Sequence, residues 1–219
     1  MARQVDRDAI VETARGLDPA EVNLRNVGRA LGVTGQALYT YVSGTEELRE
    51  LVAATAWPPT SALPDADLAW DHWWPAALRL LRMRLLDVSD LAAALGGQRV
   101  VTDDQIRFAE RGIATLVAAG VAAGDALLLY RVLVHATIDH VARIGRANPD
   151  YVERFWDAVE ASDSAPTLTG IRQSPPVITA EDAFAIQLDV LIDGIRRRYL
   201  DRVPTSAGSS PDDPRSSSP

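Results

Sequence analysis

The segment LRNVGRALGVTGQALYTYV, residues 24–42, decides the fold at the N-terminal end of the chain. Gly32 stands between two short stretches of helical spacing, and glycine adopts the positive φ of a sharp interhelical turn at the least cost. Thr34 is placed to cap the second stretch. The apolar residues that helical spacing would bury between the two are Val27, Ala30, Leu31, Val33 and Leu38. The segment therefore predicts two short helices joined by a tight turn.

The second of these helices carries polar side chains suited to DNA. Its expected exposed residues are Gly35, Gln36, Tyr39, Thr40 and Tyr41. Short or planar polar groups on such a helix fit base edges and phosphates in a major groove. The competing interpretation is a helical hairpin in a structural bundle that does not contact DNA.

Helical spacing continues along the chain, and no run alternates β-branched and polar residues as a strand would. Pro75 would kink its helix or mark its first turn. Residues 162–178 are rich in Ser, Thr and Pro and are predicted to form a loop. The predicted helices cover residues 6–16, 23–31, 35–41, 45–57, 68–87, 103–119, 125–147, 151–161 and 179–200.

Composition divides this all-α chain into two domains. The proline-rich connector PPTSALPDAD, residues 58–67, separates a three- or four-helix DNA-binding domain, residues 1–58, from a larger helical bundle, residues 68–202. Residues 203–219 are Ser- and Pro-rich, and we expect them to be disordered. The chain has no cysteine and no apolar run long enough for a membrane span, so we expect a cytoplasmic protein that does not engage membranes.

Charge and motifs restrict the function. The net charge is −8, and residues 1–52 hold six Arg against eight acidic residues, so only a small DNA footprint fits. No GxSxG, HExxH or phosphate-binding glycine loop is present. We therefore expect a protein that is not an enzyme and that needs neither metal nor cofactor.

The N-terminal pattern resembles the TetR family of transcriptional regulators over residues 5–52. The resemblance implies that Thr34, Gly35, Gln36 and Thr40 face bases, while Tyr39 and Tyr41 contact phosphates. The residues that carry it are Val27, Leu31, Gly32, Val33, Leu38, Tyr39, Tyr41, Glu46, Glu47 and Leu48.

Three positions depart from the family pattern. Gly28 replaces the usual alanine and should loosen its helix slightly. Thr45, preceded by Gly44 where the family has serine, replaces the usual lysine, so one charged phosphate contact is lost and operator binding should be weaker. Positive charge has to come from arginines that could line one face, namely Arg3, Arg7, Arg25, Arg29 and Arg49.

The resemblance implies a repressor that a small-molecule effector releases from a near-palindromic operator. It also implies a homodimer formed through residues 125–147 and 179–200. Effector binding would move residues 45–57 through their contact with residues 103–119. An alternative is a degenerate member that keeps the fold but binds a protein partner, as Thr45 and the acidic N-terminal region suggest.

Candidate effector-binding residues lie on three predicted helices of the larger domain: Trp73, Trp74, Arg82, Arg107, Tyr130 and His135. Each has a structural alternative. The tryptophans, of which one should meet a pocket or another helix, suit a plain core, and the arginines suit a solvated helix face. His135 lies one turn from Asp139 and could polarise a ligand or share a metal, or be half-buried with no such role.

Overall fold

The computed structural model describes residues 5–97, 99–145, 149–162, 164–175 and 177–201. Within these ranges the chain forms helices and no strand, which confirms the all-α prediction. The expected disordered tail, residues 203–219, and Arg3 lie outside the described residues. The α-helices are α1 (Arg7–Arg15), α2 (Leu24–Leu31), α3 (Thr45–Ala54), α4 (Trp70–Leu86), α5 (Ser89–Ala92), α6 (Asp103–Ala118), α7 (Ala123–Gly145), α8 (Pro149–Glu160), α9 (Pro166–Gln173) and α10 (Ala180–Ile195).

Side-chain caps explain where several helices begin. Asp6 accepts a hydrogen bond from the backbone of the third residue of α1, and Asn23 does the same for α2. Thr102 caps α6, and Thr179 forms a reciprocal capping box with Asp182 at the start of α10. These four starts agree with the predicted boundaries.

The helices enclose one continuous core that runs from Ile10 to Ile195. At the N-terminal end α1 packs on α2 and α3, and α2 packs on a short 3₁₀ helix, Gly35–Thr40. Further along, α4, α5 and α6 all pack against the long α7, while α3 packs against α5 and the 3₁₀ helix Ala93–Gly97. The N-terminal helices are therefore attached to the larger bundle through α3.

Two predicted elements need correction. The predicted loop at residues 162–178 contains α9, because Pro166 occupies the first helical position, where its missing N–H costs nothing. Pro75 lies inside α4 and does not mark its first turn, because the helix already begins at Trp70. None of the described helices combines the length and apolar character that crossing a bilayer requires.

Candidate DNA-binding surface and ligand cavity

The turn between α2 and Gly35–Thr40 has the geometry of a helix-turn-helix. Gly32 takes φ 74° and ψ 22°, the left-handed conformation that favours glycine. The Val33 amide donates to the Gly28 carbonyl at 2.9 Å and so closes α2. Thr34 then caps the second helix by accepting from the Ala37 amide at 3.3 Å. The second helix is thus held at a fixed angle to the first.

Two glycines allow these helices to touch through their backbones. A Cβ on Gly28 would lie 2.8 Å from the Gly35 nitrogen and 2.9 Å from the Val33 carbonyl oxygen. A Cβ on Gly35 would lie 3.2 Å from the Leu24 carbonyl oxygen. Gly28 therefore does more than loosen its helix: the close contact depends on it. Gly35 was predicted to face bases, but it packs against α2, and this contact leaves little room for a side chain.

The remaining predicted base- and phosphate-contacting side chains, on the Gly35–Thr40 helix and its two capping residues, are exposed to solvent. Gln36 and Thr40 are open to solvent, and Tyr39 and Tyr41 are 54% and 40% exposed. Solvent exposure of two tyrosines beside a helical turn leaves their hydroxyls available for an external partner. We call Thr34, Gln36, Tyr39, Thr40 and Tyr41 the polar surface of the motif.

Positive charge beside this surface is scarcer than the arginine count suggests. Arg7 is held by Glu47, and Arg49 donates to the Val22 carbonyl at 3.2 Å. Arg25, by contrast, is exposed on α2 and bonds to no described residue. Arg25 is therefore the available cation next to the polar surface, together with Arg29, which donates to Asn26 on its own helix.

The start of α3 is organised by Glu47 rather than by a cation. Its carboxylate accepts from both the amide and the hydroxyl of Ser43, each at 2.6 Å. These hydrogen bonds, with the smaller effect of Arg7, hold the pKa of Glu47 below its usual value. Thr45, at the position where the resemblance led us to expect a lysine, is half-buried. Because threonine is neutral, this position carries no charge.

A cavity of about 360 Å³ lies where α3, α6 and α7 meet. Tyr130 and His135, two predicted ligand residues, line it together with Gln105 and Trp57. Burial raises the pKa of the Tyr130 hydroxyl, while its hydrogen bond with Gln105 lowers it by less, so the phenol stays a hydrogen-bond donor at neutral pH. The volume falls in the range of pockets that hold small ligands.

Trp73 and Trp74 are both fully buried and form an aromatic cluster with Phe108. Their rings meet edge to face with centroids 5.2 Å apart. Trp73 also lines a second cavity of about 480 Å³ against α6, whereas Trp74 packs toward Tyr130. Both tryptophans therefore belong to one core cluster, and each also has a neighbour of its own, a cavity for Trp73 and Tyr130 for Trp74.

The family model for the tetracyclin repressor-like C-terminal domain matches residues 63–199, well over half of the chain. The chain belongs to the TetR family of transcriptional regulators. A sequence comparison with curated proteins gives no significant match.

Solved structures similar to this TetR-family chain share its fold at low identity. A possible TetR family transcriptional regulator from Streptomyces coelicolor A3(2) is 24% identical with a TM-score of 0.72, covering 88% of this chain and 99% of its own. A single-residue variant of TetR from Acinetobacter baumannii AYE, in complex with minocycline, is 20% identical, with a TM-score of 0.66 and coverage of 89% and 98%. BioQ with its double-stranded DNA operator is 22% identical, with a TM-score of 0.62 and coverage of 89% and 100%.

The predicted ligand residues of this TetR-family protein do not all meet. Arg107 is about half exposed and pairs with Asp103 and Asp104 on its own helix, the solvated arrangement that the sequence left open. Arg82 is only 12% exposed and is paired with Glu181, with its guanidinium 5.0 Å from the Phe184 ring centre. Both arginines therefore lie apart from the cavity that Tyr130 and His135 line.

His135 and Asp139, predicted to act together on a ligand or metal, have different surroundings. His135 faces the cavity, whereas Asp139 pairs with Arg143 at 3.7 Å. Within the described ranges, no three His, Asp or Glu side chains are grouped closely enough to hold a metal ion.

Glu50 is a cavity residue that the sequence analysis missed. It lies on α3, is 1% exposed, and accepts hydrogen bonds from the Arg99 and Val100 amides at 2.7 and 3.1 Å. Its Oε2 has no hydrogen-bond partner among the described residues. The available signal was its place directly before the apolar run LVAA, residues 51–54, where a charged residue faces the core.

Proposed function

We propose that this protein is a repressor that binds operator DNA as a homodimer in the cytoplasm and is released by a small-molecule effector. The observation that carries the proposal is the polar surface of the motif, presented by a helix fixed at the Gly32 turn. The family and the two neighbours crystallised with operator DNA and with minocycline support it. The domain boundary is proposed within residues 58–67, where the family match begins.

On the DNA side, we assign base contacts to Thr34, Gln36 and Thr40, and phosphate contacts to Tyr39 and Tyr41. Of the three remaining predicted contacts, Gly35 packs against α2 and has no side chain to offer, and Arg25 and Thr45 differ in charge. Arg25 supplies charge beside the motif, whereas Thr45 offers a neutral hydroxyl where a lysine would neutralise a phosphate.

The dimer interface is proposed on α7 and α10. Leu128 and Val132 are 56% and 50% exposed one turn apart on α7, and Ile186 and Val190 are 55% and 66% exposed one turn apart on α10. α7 and α10 contact each other within one chain, so these apolar pairs lie on adjacent helices. Apolar residues grouped in this way are typical of a surface that a second chain covers.

The effector site is proposed in the 360 Å³ cavity, because it adjoins the helix that attaches the DNA-binding motif. Tyr130 and His135 supply polar contacts there, and Trp57 supplies an aromatic wall. Trp73 and Trp74 shape the core beside it, whereas Arg82 and Arg107 are no longer proposed as ligand contacts.

The first experiment is fluorescence anisotropy with the intergenic DNA beside the protein's own gene, at low and physiological salt, against scrambled DNA. We expect saturable, sequence-dependent binding that weakens as salt rises. The variant Gln36→Ala should bind roughly ten- to a hundredfold more weakly, since it removes one base contact. The matched control Gln173→Ala, on exposed α9, should bind as the wild type does. Absence of specific binding even at low salt would favour the protein-binding alternative.

A second experiment tests the dimer by sedimentation. Val190→Arg should yield a monomer with lost operator binding, because it places a charge in the proposed apolar interface. Met83→Arg replaces a 58% exposed apolar residue on α4 and should leave the dimer intact. A dimer that survives Val190→Arg contradicts the proposed interface.

A further inference from the structure

The chemistry of the cavity is dominated by one buried carboxylate. Glu50 lines it at 1% exposure, and only one of its two oxygens is engaged, by the Arg99 and Val100 amides. An unbonded oxygen of a buried carboxylate is costly, because the group has lost its water without gaining a donor in return. The position therefore favours a ligand that brings N–H donors and positive charge.

Two arginines near the cavity do not satisfy the unbonded oxygen of Glu50. The Arg99 guanidinium lies 3.9 Å from Glu50 Oε2, an ion pair longer than a hydrogen bond, and its side chain is 52% exposed. Arg131 lines the cavity but is itself exposed, so water and salt screen its charge. Glu50 is the charge that is shielded from solvent, and its field is correspondingly stronger inside the cavity.

The rest of the lining suits a compact apolar body. Trp57 and Tyr130 provide aromatic surface. The Trp57 indole N–H is buried without a partner among the described residues, so it is available to donate to an acceptor atom elsewhere on the ligand. Aromatic faces also attract cations. The aliphatic lining residues are Leu95, Val100, Val101, Leu127, Val134 and Ile138.

We propose that the cavity binds a small organic cation, an amine or amidine on an apolar body, whose N–H groups donate to Glu50. Calling this ligand the effector rests on the proposed function, whereas its chemical class rests on the cavity alone. Because Glu50 belongs to α3, the cation directly contacts the helix that follows the DNA-binding motif and attaches it to the larger bundle.

The test uses three ligands of one shape and different charge: benzamidine, benzamide and benzoate. Binding to the full chain is measured by ligand-observed NMR and calorimetry. For a fragment of this size we expect benzamidine to bind with a dissociation constant of about 1 mM. Benzamide should bind more weakly, and benzoate should not bind, because the buried carboxylate repels it.

The variant Glu50→Gln keeps an oxygen for the two backbone amides but removes the charge. It should weaken benzamidine binding about tenfold or more. Glu46→Gln, an exposed residue on the same helix, should leave binding unchanged. Circular dichroism checks that both variants fold, and if Glu50→Gln does not fold, the ranking of the three ligands on the wild type decides.

Two results would overturn the proposal: benzoate binding as well as benzamidine, or a folded Glu50→Gln that binds benzamidine like the wild type. The operator assay separates this failure from failure of the proposed function. Specific DNA binding with no cation preference leaves the regulator standing and removes the ligand class. Charge-selective benzamidine binding without operator binding supports the ligand class and contradicts the proposed regulator.

Discussion

Gly112 on α6 faces the aromatic cluster so closely that a single methyl group should destabilise the protein. A Cβ at this position would lie 2.5 Å from Trp74 Cζ2 and 3.1 Å from Trp73 Cζ3, while ordinary contacts begin near 3.4 Å. The Trp74 ring would have to retreat by almost 1 Å although it is fully buried against Trp73, Phe108 and Tyr130. Overpacking of this kind costs about 1–3 kcal/mol, and the higher helix propensity of alanine returns about 1 kcal/mol.

Because a buried indole has to move by almost 1 Å, we take the overpacking cost from the upper part of that range, about 2–3 kcal/mol. After the gain in helix propensity we expect Gly112→Ala to lower the free energy of unfolding by roughly 1–2 kcal/mol, measured by urea denaturation at fixed protomer concentration. A double-mutant cycle with Trp74→Phe tests the cause, because phenylalanine lacks the ring atoms that the new methyl meets. Each single variant should be destabilised, and the double variant should be more stable than their sum by about 1 kcal/mol. Gly124→Ala, on α7 with open space around it, is the control and should not be destabilised. Strict additivity, or a stable Gly112→Ala, would refute the steric argument.

Three further predictions concern the motif and the pH dependence. Gly28→Ala should reduce both thermal stability and operator affinity, because the methyl meets backbone atoms that cannot move aside. Gly170→Ala, inside α9 with open space around it, is the control and should not lower the melting temperature. Thr45→Lys should tighten operator binding and steepen its salt dependence by about one phosphate contact, and equal affinities across a salt titration would contradict this. Burial, followed by the charge of Arg82, lowers the pKa of His140 below 6.5. Because the folded protein then binds this proton less readily than the unfolded chain, the contribution of His140 to the free energy of unfolding is fully present above about pH 6.5 and declines as pH falls below it. His140→Gln should flatten the dependence of melting temperature on pH between about 7 and 5, and an unchanged slope would show that other groups cause it.

The sequence predicted the elements whose signals are local. Asp6, Asn23, Thr102 and Thr179 each mark a helix start that the structure shows, because a cap needs only its own residue and the next turn. The turn at Gly32 was predicted for the same reason. The exposed face of the second helix followed from spacing alone, since the apolar side of a short helix leaves its other side to solvent.

Features that depend on distant residues escaped the sequence. The contact of Gly28 with Gly35 needs the angle between two helices, which a residue pattern does not contain. Likewise Glu50 meets the Arg99 amide across a sequence separation of 49 residues, and nothing local marks the meeting. The α9 start was missed for a different reason: Pro166 was counted with neighbouring Ser and Thr as a loop signal, although proline also begins helices.

The attachment of α3 to the larger bundle bears directly on how an effector would act. At its middle, Glu50 accepts from the backbone that follows the Ala93–Gly97 turn. At its end, Arg84 of α4 donates to the Thr55 and Ala56 carbonyls at 2.8 and 3.0 Å, which suits the negative end of a helix.

Beyond that end, the Trp57 ring packs edge to face on Phe108 of α6 with centroids 5.4 Å apart, the contact between residues 45–57 and 103–119 that the sequence analysis expected. Glu50 and Trp57 line the proposed effector cavity, and Arg84 does not. A ligand that displaces Glu50 while Arg84 holds the end of α3 would pivot the helix about that end, because Glu50 lies on α3 before the anchored carbonyls. The largest movement would then fall at the start of α3, next to the Gly35–Thr40 helix, so a small displacement in the cavity would change the separation of the two Gly35–Thr40 helices in the proposed dimer.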